Sequence, residues 1–216
     1  MAIIIKSTDG RELFTSKAHD WRAAVEEAYK NAINLKDADL AGLDLGDIQL
    51  IGVDLSYADL SGANLAGAAL FDANLSNAKL IGANLRATTL IHAQCYQTDL
   101  RNSDLTTADL SRAEFKNADL YGAHLLSAVL IGALLSGANL AETDLRHADL
   151  TVADLSAADL TNAHLENAIL RSTNLLGANL SGTHLSGADF TGTFLGRTNF
   201  AHADLASAKN VDRAHS

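Results

Sequence analysis

The sequence predicts an all-β solenoid, a chain that turns once every five residues and stacks its turns into a rod, entered through a small α/β segment. Three observations predict it. From Leu35 to Leu205 every residue whose number is a multiple of five is apolar and bulky: 31 leucines, three phenylalanines (Phe115, Phe190, Phe200) and Cys95, with no insertion or deletion. Two positions before each stands a second restricted slot, alanine in 23 of the 35 repeats. The 216 residues contain no proline.

The period itself excludes the ordinary elements. On a helix at ~100° per residue, leucines five apart drift by ~140° and spiral around the axis, so no face collects them. On a straight strand an odd spacing throws alternate leucines to opposite sides of the sheet. All 35 stay on one side only if a short extended segment, leucine inward, is followed by a corner in every repeat. Alanine or threonine suits the crowded inside of that corner. Glycine, serine and asparagine after the leucine, as in Ser61-Gly62 and Ser136-Gly137, suit its tight backbone. Proline would delete an N–H needed between turns of the chain.

The first residues read differently. Ala2 to Ser7 reads as a strand, Thr8-Asp9-Gly10-Arg11 as a turn and Glu12 to Thr15 as a returning strand. Asp20 is placed to cap a helix from Trp21 to about Asn31. Its apolar residues Trp21, Ala24, Val25, Ala28 and Tyr29 form one stripe, expected to pack on the open first coil beside Ile33, Leu43, Ile48 and Val53. The expected organisation is a cap over residues 1–32, a repeat rod over 33–210 and a polar tail over 211–216.

The units Ala38-Asp39-Leu40-Ala41-Gly42, Ala63-Asn64-Leu65 and Ala153-Asp154-Leu155 resemble the A(D/N)LXX motif of pentapeptide repeat proteins. The resemblance implies a right-handed quadrilateral parallel β-helix of about nine coils, four pentapeptides to a coil, so that residues 20 apart stack in columns. At a strand spacing of ~4.8 Å such a rod is roughly 40 Å long. It also implies two kinds of partner. Some bacterial members bind DNA gyrase as DNA mimics and protect it from quinolones, and well-studied members form two-fold dimers through their C-terminal ends.

Charge and composition exclude other classes. The net charge is −10, from 26 acidic and 16 basic residues, against direct binding to nucleic acid or an anionic membrane. Met1 to Ile5 followed by Lys6 is too short an apolar run for a signal peptide, and Leu125 to Leu135 falls short of the ~18 residues of a membrane span. A single cysteine forms no internal disulfide. A cytoplasmic protein, bacterial by its resemblance, is expected. No phosphate-binding glycine loop or nucleophile setting appears, so neither an enzyme nor a cofactor is expected. Cys95 stands in a leucine slot and should be buried and inert.

Four surface features remain. An outward apolar stripe, Ile51, Phe71, Ile91, Val129, Ile131 and Ile169 with Ala69, is the candidate partner surface, because apolar patches mark interfaces. β-branched propensity explains part of it equally well. Asp39, Asp59, Asp99, Asp119 and Asp159 form one column of a candidate acidic mimic surface; alternatively such residues satisfy local backbone donors. Phe190, Phe194 and Phe200 either plug the last coils or form a dimer end. Asp104, His124, Asp144, His164, His184 and Asp204 make a column whose neighbours could pair or share a metal; a solvated polar ladder is its ordinary explanation, and no metal is assigned. The reading is a non-enzymatic β-solenoid scaffold for protein interaction. Its alternative is an acidic DNA mimic that binds gyrase or another topoisomerase.

Overall fold

A computed structural model describes residues 2–211. The tail expected over 211–216 lies, apart from Val211, outside the described residues. The chain opens with β1 (Ile3–Lys6) and β2 (Glu12–Ser16), antiparallel with Ile3 opposite Ser16 and Ile5 opposite Phe14. The strand is shorter than the sequence suggests, because Ser7 leaves the hairpin to bridge Ala38. That bridge gives the rod its first edge. Thr8 N donates to Asp37 O at 2.7 Å and Asp39 N to Lys6 O at 2.8 Å.

Helix α1 (Trp21–Lys30) follows. The Asp20 carboxylate accepts from Ala23 N at 2.8 Å, and Lys30 lies at the negative C-terminal end. Ala24, Val25 and Ala28 are buried, the latter two in the same core as the rod's leucines, and the Tyr29 hydroxyl donates to Ile51 O at 2.7 Å. Trp21 corrects the expected stripe. It opens the helix at its first position and is 38% exposed rather than packed on the coil. It walls a shallow open depression of about 550 Å³ together with Asp44, Asp47 and Asn64.

Beyond residue 38 the structure is a ladder with one rule. Each polar-slot residue bridges the residue 20 further on, in parallel, from Asp39 with Asp59 to Asp189 with Lys209. A turn in every pentapeptide and a return after 20 residues give four faces to a coil. Each is named here by an early leucine: the Leu35, Leu40, Leu45 and Leu50 faces.

The five amides of a repeat can be accounted for one by one. Around Leu60, Leu60 N donates to Lys79 O (2.7 Å), Gly62 N to Ile81 O (2.9 Å), Ala63 N to Leu60 O (3.0 Å) and Asn64 N to Leu43 O (2.9 Å). The Leu60 to Ala63 bond closes a turn whose third residue, Gly62, has φ 66°, the type II signature. The fifth amide, Ser61 N, has no main-chain partner in this pattern. The Asp59 carboxylate takes it, at 3.0 Å.

That fifth amide explains the polar slot. All 14 aspartates standing there accept the N–H two residues on, at 2.9–3.4 Å. Asparagine offers the same oxygen, as at Asn64 and Asn139. It adds a donor: from Asn64 to Asn199, each slot asparagine gives its Nδ2 to the side-chain oxygen one coil back, at 2.7–3.3 Å. A typical net hydrogen bond contributes about 1 kcal/mol, so a residue repeated at every turn adds up.

The leucine slot is fully shielded along most of the rod, with Leu40, Leu110 and Leu165 at 0% exposure. Threonines in the alanine slot are buried yet satisfied: Thr88 and Thr98 donate to Leu65 O and Leu75 O one coil back, at 2.9 and 2.8 Å. Shielding fades only at the end, where Leu195, Phe200 and Leu205 are partly exposed. There Asp189 ties three segments. It accepts from Arg171 Nε (2.7 Å), Thr191 N (3.0 Å) and Asn210 Nδ2 (3.2 Å).

Candidate functional site

The faces differ in what replaces the Asx acceptor, and the Leu50 face differs most. Its polar slot holds Gln49, Ala69, Thr89, Asp109, Val129, Asp149, Ile169 and Asp189 in turn. Where Ala69 and Val129 stand, the amides of Phe71 and Ile131 have no side-chain acceptor two residues back. These two residues and Ile51 project apolar side chains outward: Ile51 is 51% exposed, Ile131 38% and Phe71 36%, while Ile91 is half-buried. Phe71 meets the His92 ring edge-on at 5.8 Å.

The stripe is segmented rather than continuous. Ile51, Phe71 and Ile91 occupy successive rungs. Asp109 and Ser111 then interrupt, Val129 and Ile131 resume, Asp149 and Thr151 interrupt again, and Ile169 stands beside Arg171. The interruption has a physical reason. Parallel stacking puts like residues ~4.8 Å apart, and Asp109, Val129, Asp149, Ile169 and Asp189 alternate so that no two carboxylates meet. Val129 and Ile169 thus serve as spacers between acids as well as apolar surface.

The acidic column lies on the Leu40 face and is partly discharged. Asp39 is exposed, whereas Asp59, Asp99, Asp119 and Asp159 are half-buried. Lys79 stands between Asp59 and Asp99, and Asn139 between Asp119 and Asp159. Arg101 bridges the adjacent pair, at 2.7 Å from Asp99 and 3.6 Å from Asp119. Its guanidinium hydrogen bonds hold the Asp99 carboxyl below the usual range.

At the C-terminal end Phe190 is fully buried and Phe200 packs edge-on against it at 6.3 Å. Phe194 stands in the polar slot and is 44% exposed. The three rings therefore do not form one surface: two lie inside and one outside. On the Leu45 face the column runs as expected through Asp104, His124, Asp144, His164, His184 and Asp204. Two of its acids, however, pair with arginines rather than imidazoles. Arg86 reaches Asp104 at 3.1 Å, and Arg146 grips Asp144 with Nε and Nη2 at 2.8 and 2.7 Å, holding its pKa low.

Cys95 is 1% exposed, and burial, with Glu114 nearby, pushes its thiol pKa up. Sequence reasoning missed the Leu35 face, where Tyr57, Tyr96, Leu134 and Leu176 project with exposures of 51%, 38%, 45% and 45%. Their signal was present, as apolar residues outside both inward slots, but no two of them stand on successive rungs; Tyr96 and Leu176 share a column four coils apart. No helix among the described residues is long and apolar enough to cross a membrane.

These features define a class, a parallel solenoid of four-sided section whose outer faces are surfaces rather than clefts. The chain belongs to the pentapeptide repeat family, whose repeats match in eight copies between residues 33 and 209. Members of that family form right-handed quadrilateral β-helices, and no catalytic family is indicated. Among solved structures, the chain is similar to a trypsin-treated variant of QnrB1, a plasmid-mediated fluoroquinolone resistance protein. Identity is 23% over 72% of this chain and 78% of that one, with a TM-score of 0.68. It is also similar to HetL, a pentapeptide repeat protein involved in heterocyst differentiation regulation from the cyanobacterium Nostoc, at 29% identity over 87% and 93% of the chains, with a TM-score of 0.43. No curated protein matches it in sequence at a significant level. At 23% identity the likeness to QnrB1 is one of fold.

Proposed function

We propose that the protein is a non-enzymatic interaction scaffold, a rod of about nine coils closed by its N-terminal hairpin and helix, which binds a protein partner along the Leu50 face. One observation carries this reading. On that face outward apolar side chains on three successive rungs, Ile51, Phe71 and Ile91, coincide with backbone amides that have no Asp or Asn acceptor two residues back, and Ile131 repeats the arrangement further along. An apolar ledge beside a row of donors suits a partner with apolar side chains and carbonyl or carboxylate groups. A photo-crosslinking residue at Phe71 should capture a discrete host protein, one at Thr161 on the Leu40 face should not, and Ile131→Glu should abolish the Phe71 adduct. Equal capture from both faces would overturn the reading.

A second reading, an acidic mimic that binds a topoisomerase, is favoured by the charge distribution. Residues 35–210 carry 20 acids and 10 bases, so the whole net charge of −10 resides on the rod. The fold likeness to QnrB1 is compatible with it. Two features weigh against it: the Asx bonds that each slot aspartate makes, and the Arg101 bridge across Asp99 and Asp119. A gyrase supercoiling assay separates the readings. Salt-sensitive inhibition would promote the mimic; unchanged supercoiling and quinolone sensitivity at micromolar protein would remove it.

A further inference from the structure

On the Leu45 face, away from the proposed partner surface, a group of side chains is left unexplained by the repeat. His164 and His184 occupy successive rungs, and their rings lie parallel, 4° apart in plane and 4.7 Å between centroids. Glu166, two residues after His164, brings its Oε1 to 3.4 Å from His164 Nδ1. One ligand atom from each of the three residues lies within 4.8 Å of the others. The second Glu166 oxygen, Oε2, is shut off from solvent and has no hydrogen-bond partner, the single such side-chain atom among the described residues.

An unpartnered, desolvated carboxylate oxygen is costly. Arg146, one rung earlier in the column of Glu166, attracts it through space but leaves Oε2 without a hydrogen bond, because its Nε and Nη2 are both given to Asp144. We propose that His164, Glu166 and His184 bind a divalent transition metal of the zinc class, which clasps two successive coils.

The donor set selects the ion. Two imidazole nitrogens and one carboxylate oxygen suit zinc and its neighbours, whereas calcium and magnesium require more oxygen ligands than this group offers. Ligand bonds near 2.1 Å bring tetrahedral donors to about 3.4 Å from one another, so the donors must close in. Both histidines are exposed and can turn about their side-chain torsions without disturbing the core. The carboxylates of Asp144 and Asp204 stand on the rungs before and after the pair, and they offset the positive charge of Arg146. Three protein ligands leave a fourth position for water or a partner's side chain.

Because Glu166 and His164 belong to one coil and His184 to the next, the ion would tie the rungs just before the less shielded end of the rod. Binding that favours the folded state raises stability by linkage. The test is calorimetric titration of the full chain with zinc at neutral pH in a non-chelating buffer, beside thermal unfolding with and without zinc. One site per chain is expected, with a rise in unfolding temperature on adding zinc. His184→Asn and Glu166→Gln should each weaken binding by at least the roughly 10–100-fold typical of a lost outer-shell partner, and should cancel the thermal shift. His124→Asn, in the same column but outside the cluster, should behave as the wild type. Absence of saturable heat in the wild type overturns the proposal. So does retained affinity in both cluster variants, or an equal loss in His124→Asn.

Discussion

Cys95 and Phe115 occupy neighbouring rungs of the Leu35 face, where Cys95 N donates to Glu114 O at 2.8 Å and both side chains are at most 1% exposed. Every other leucine slot of that face from Leu35 to Leu195 holds leucine. A side chain smaller than leucine thus stands one rung from one that is larger, and the added volume of the ring is expected to fill what the cysteine leaves. Cys95→Leu alone should overpack that space and cost about 1–3 kcal/mol. Phe115→Leu alone should leave a void beside the thiol and cost about 1–2 kcal/mol, a fraction of a full Phe to Ala truncation. The double variant restores the leucine rule, so its loss should be smaller than the sum of the singles by about 1–3 kcal/mol, as for residues in contact. Equilibrium urea unfolding followed by circular dichroism measures the cycle. A solenoid opens locally as well as globally, so Cys95 labelling by a thiol reagent supplies a second, local readout. The buried thiol, with its raised pKa, should label only through opening, and faster in Phe115→Leu. Additive single effects, or labelling of the native wild type at the rate of a free thiol, would refute the stacking argument.

Two further perturbations test the polar ladder. Asn139→Asp removes the bond from Asn139 Nδ2 to Asp119 Oδ1 (2.9 Å) and creates four successive carboxylates with Asp99, Asp119 and Asp159. It should cost about 1–2 kcal/mol in urea unfolding, with part of the loss recovered in high salt, and a salt-independent effect no larger than that of Asn139→Ala would remove like-charge spacing as an explanation. Asp189 has its pKa lowered by the Thr191 hydroxyl bond, with Arg171, Thr191 N and Asn210 adding to it against desolvation. A depressed folded value contributes stability that is present above the unfolded carboxyl pKa of about 3.9 and is lost as pH falls through the folded value, so Asp189→Asn should lower stability at pH 7 and flatten its fall below about pH 4; parallel pH profiles would count against the role of Asp189.

The inward architecture was legible because it repeats: a leucine every fifth residue leaves one way to keep 35 side chains on one side. The hairpin and α1 were legible through local signals, Gly10 and the Asp20 cap. Trp21 was misplaced because helical periodicity gives a face but not how far a large ring at the first helical position is covered. The role of the polar slot stood as one of two readings, since composition alone does not separate a carboxylate that caps an amide from one that faces a partner; only the count of amides in a repeat does. The corner residue two after the leucine shows the same limit. It has positive φ at every repeat from Asp37 to His202, including at Val152 (54°) and Thr107 (57°), β-branched residues that local preference assigns elsewhere. The His164, Glu166 and His184 group was half visible. The histidines share a column 20 apart, but Glu166 belongs to the neighbouring column, so a search within one column passes over it.

A ladder that closes every 20 residues makes position in space a matter of counting. A duplication of four pentapeptides anywhere in the rod would lengthen it by one coil and leave each downstream residue on its own face. Insertion of a single pentapeptide would turn everything after it by one quarter. Placed between Ile91 and Ile131, such an insertion would carry Ile131 out of line with Phe71 while every leucine stayed inside. Surface pattern and core are therefore separable in this chain: the first answers to number modulo 20, the second only to number modulo five.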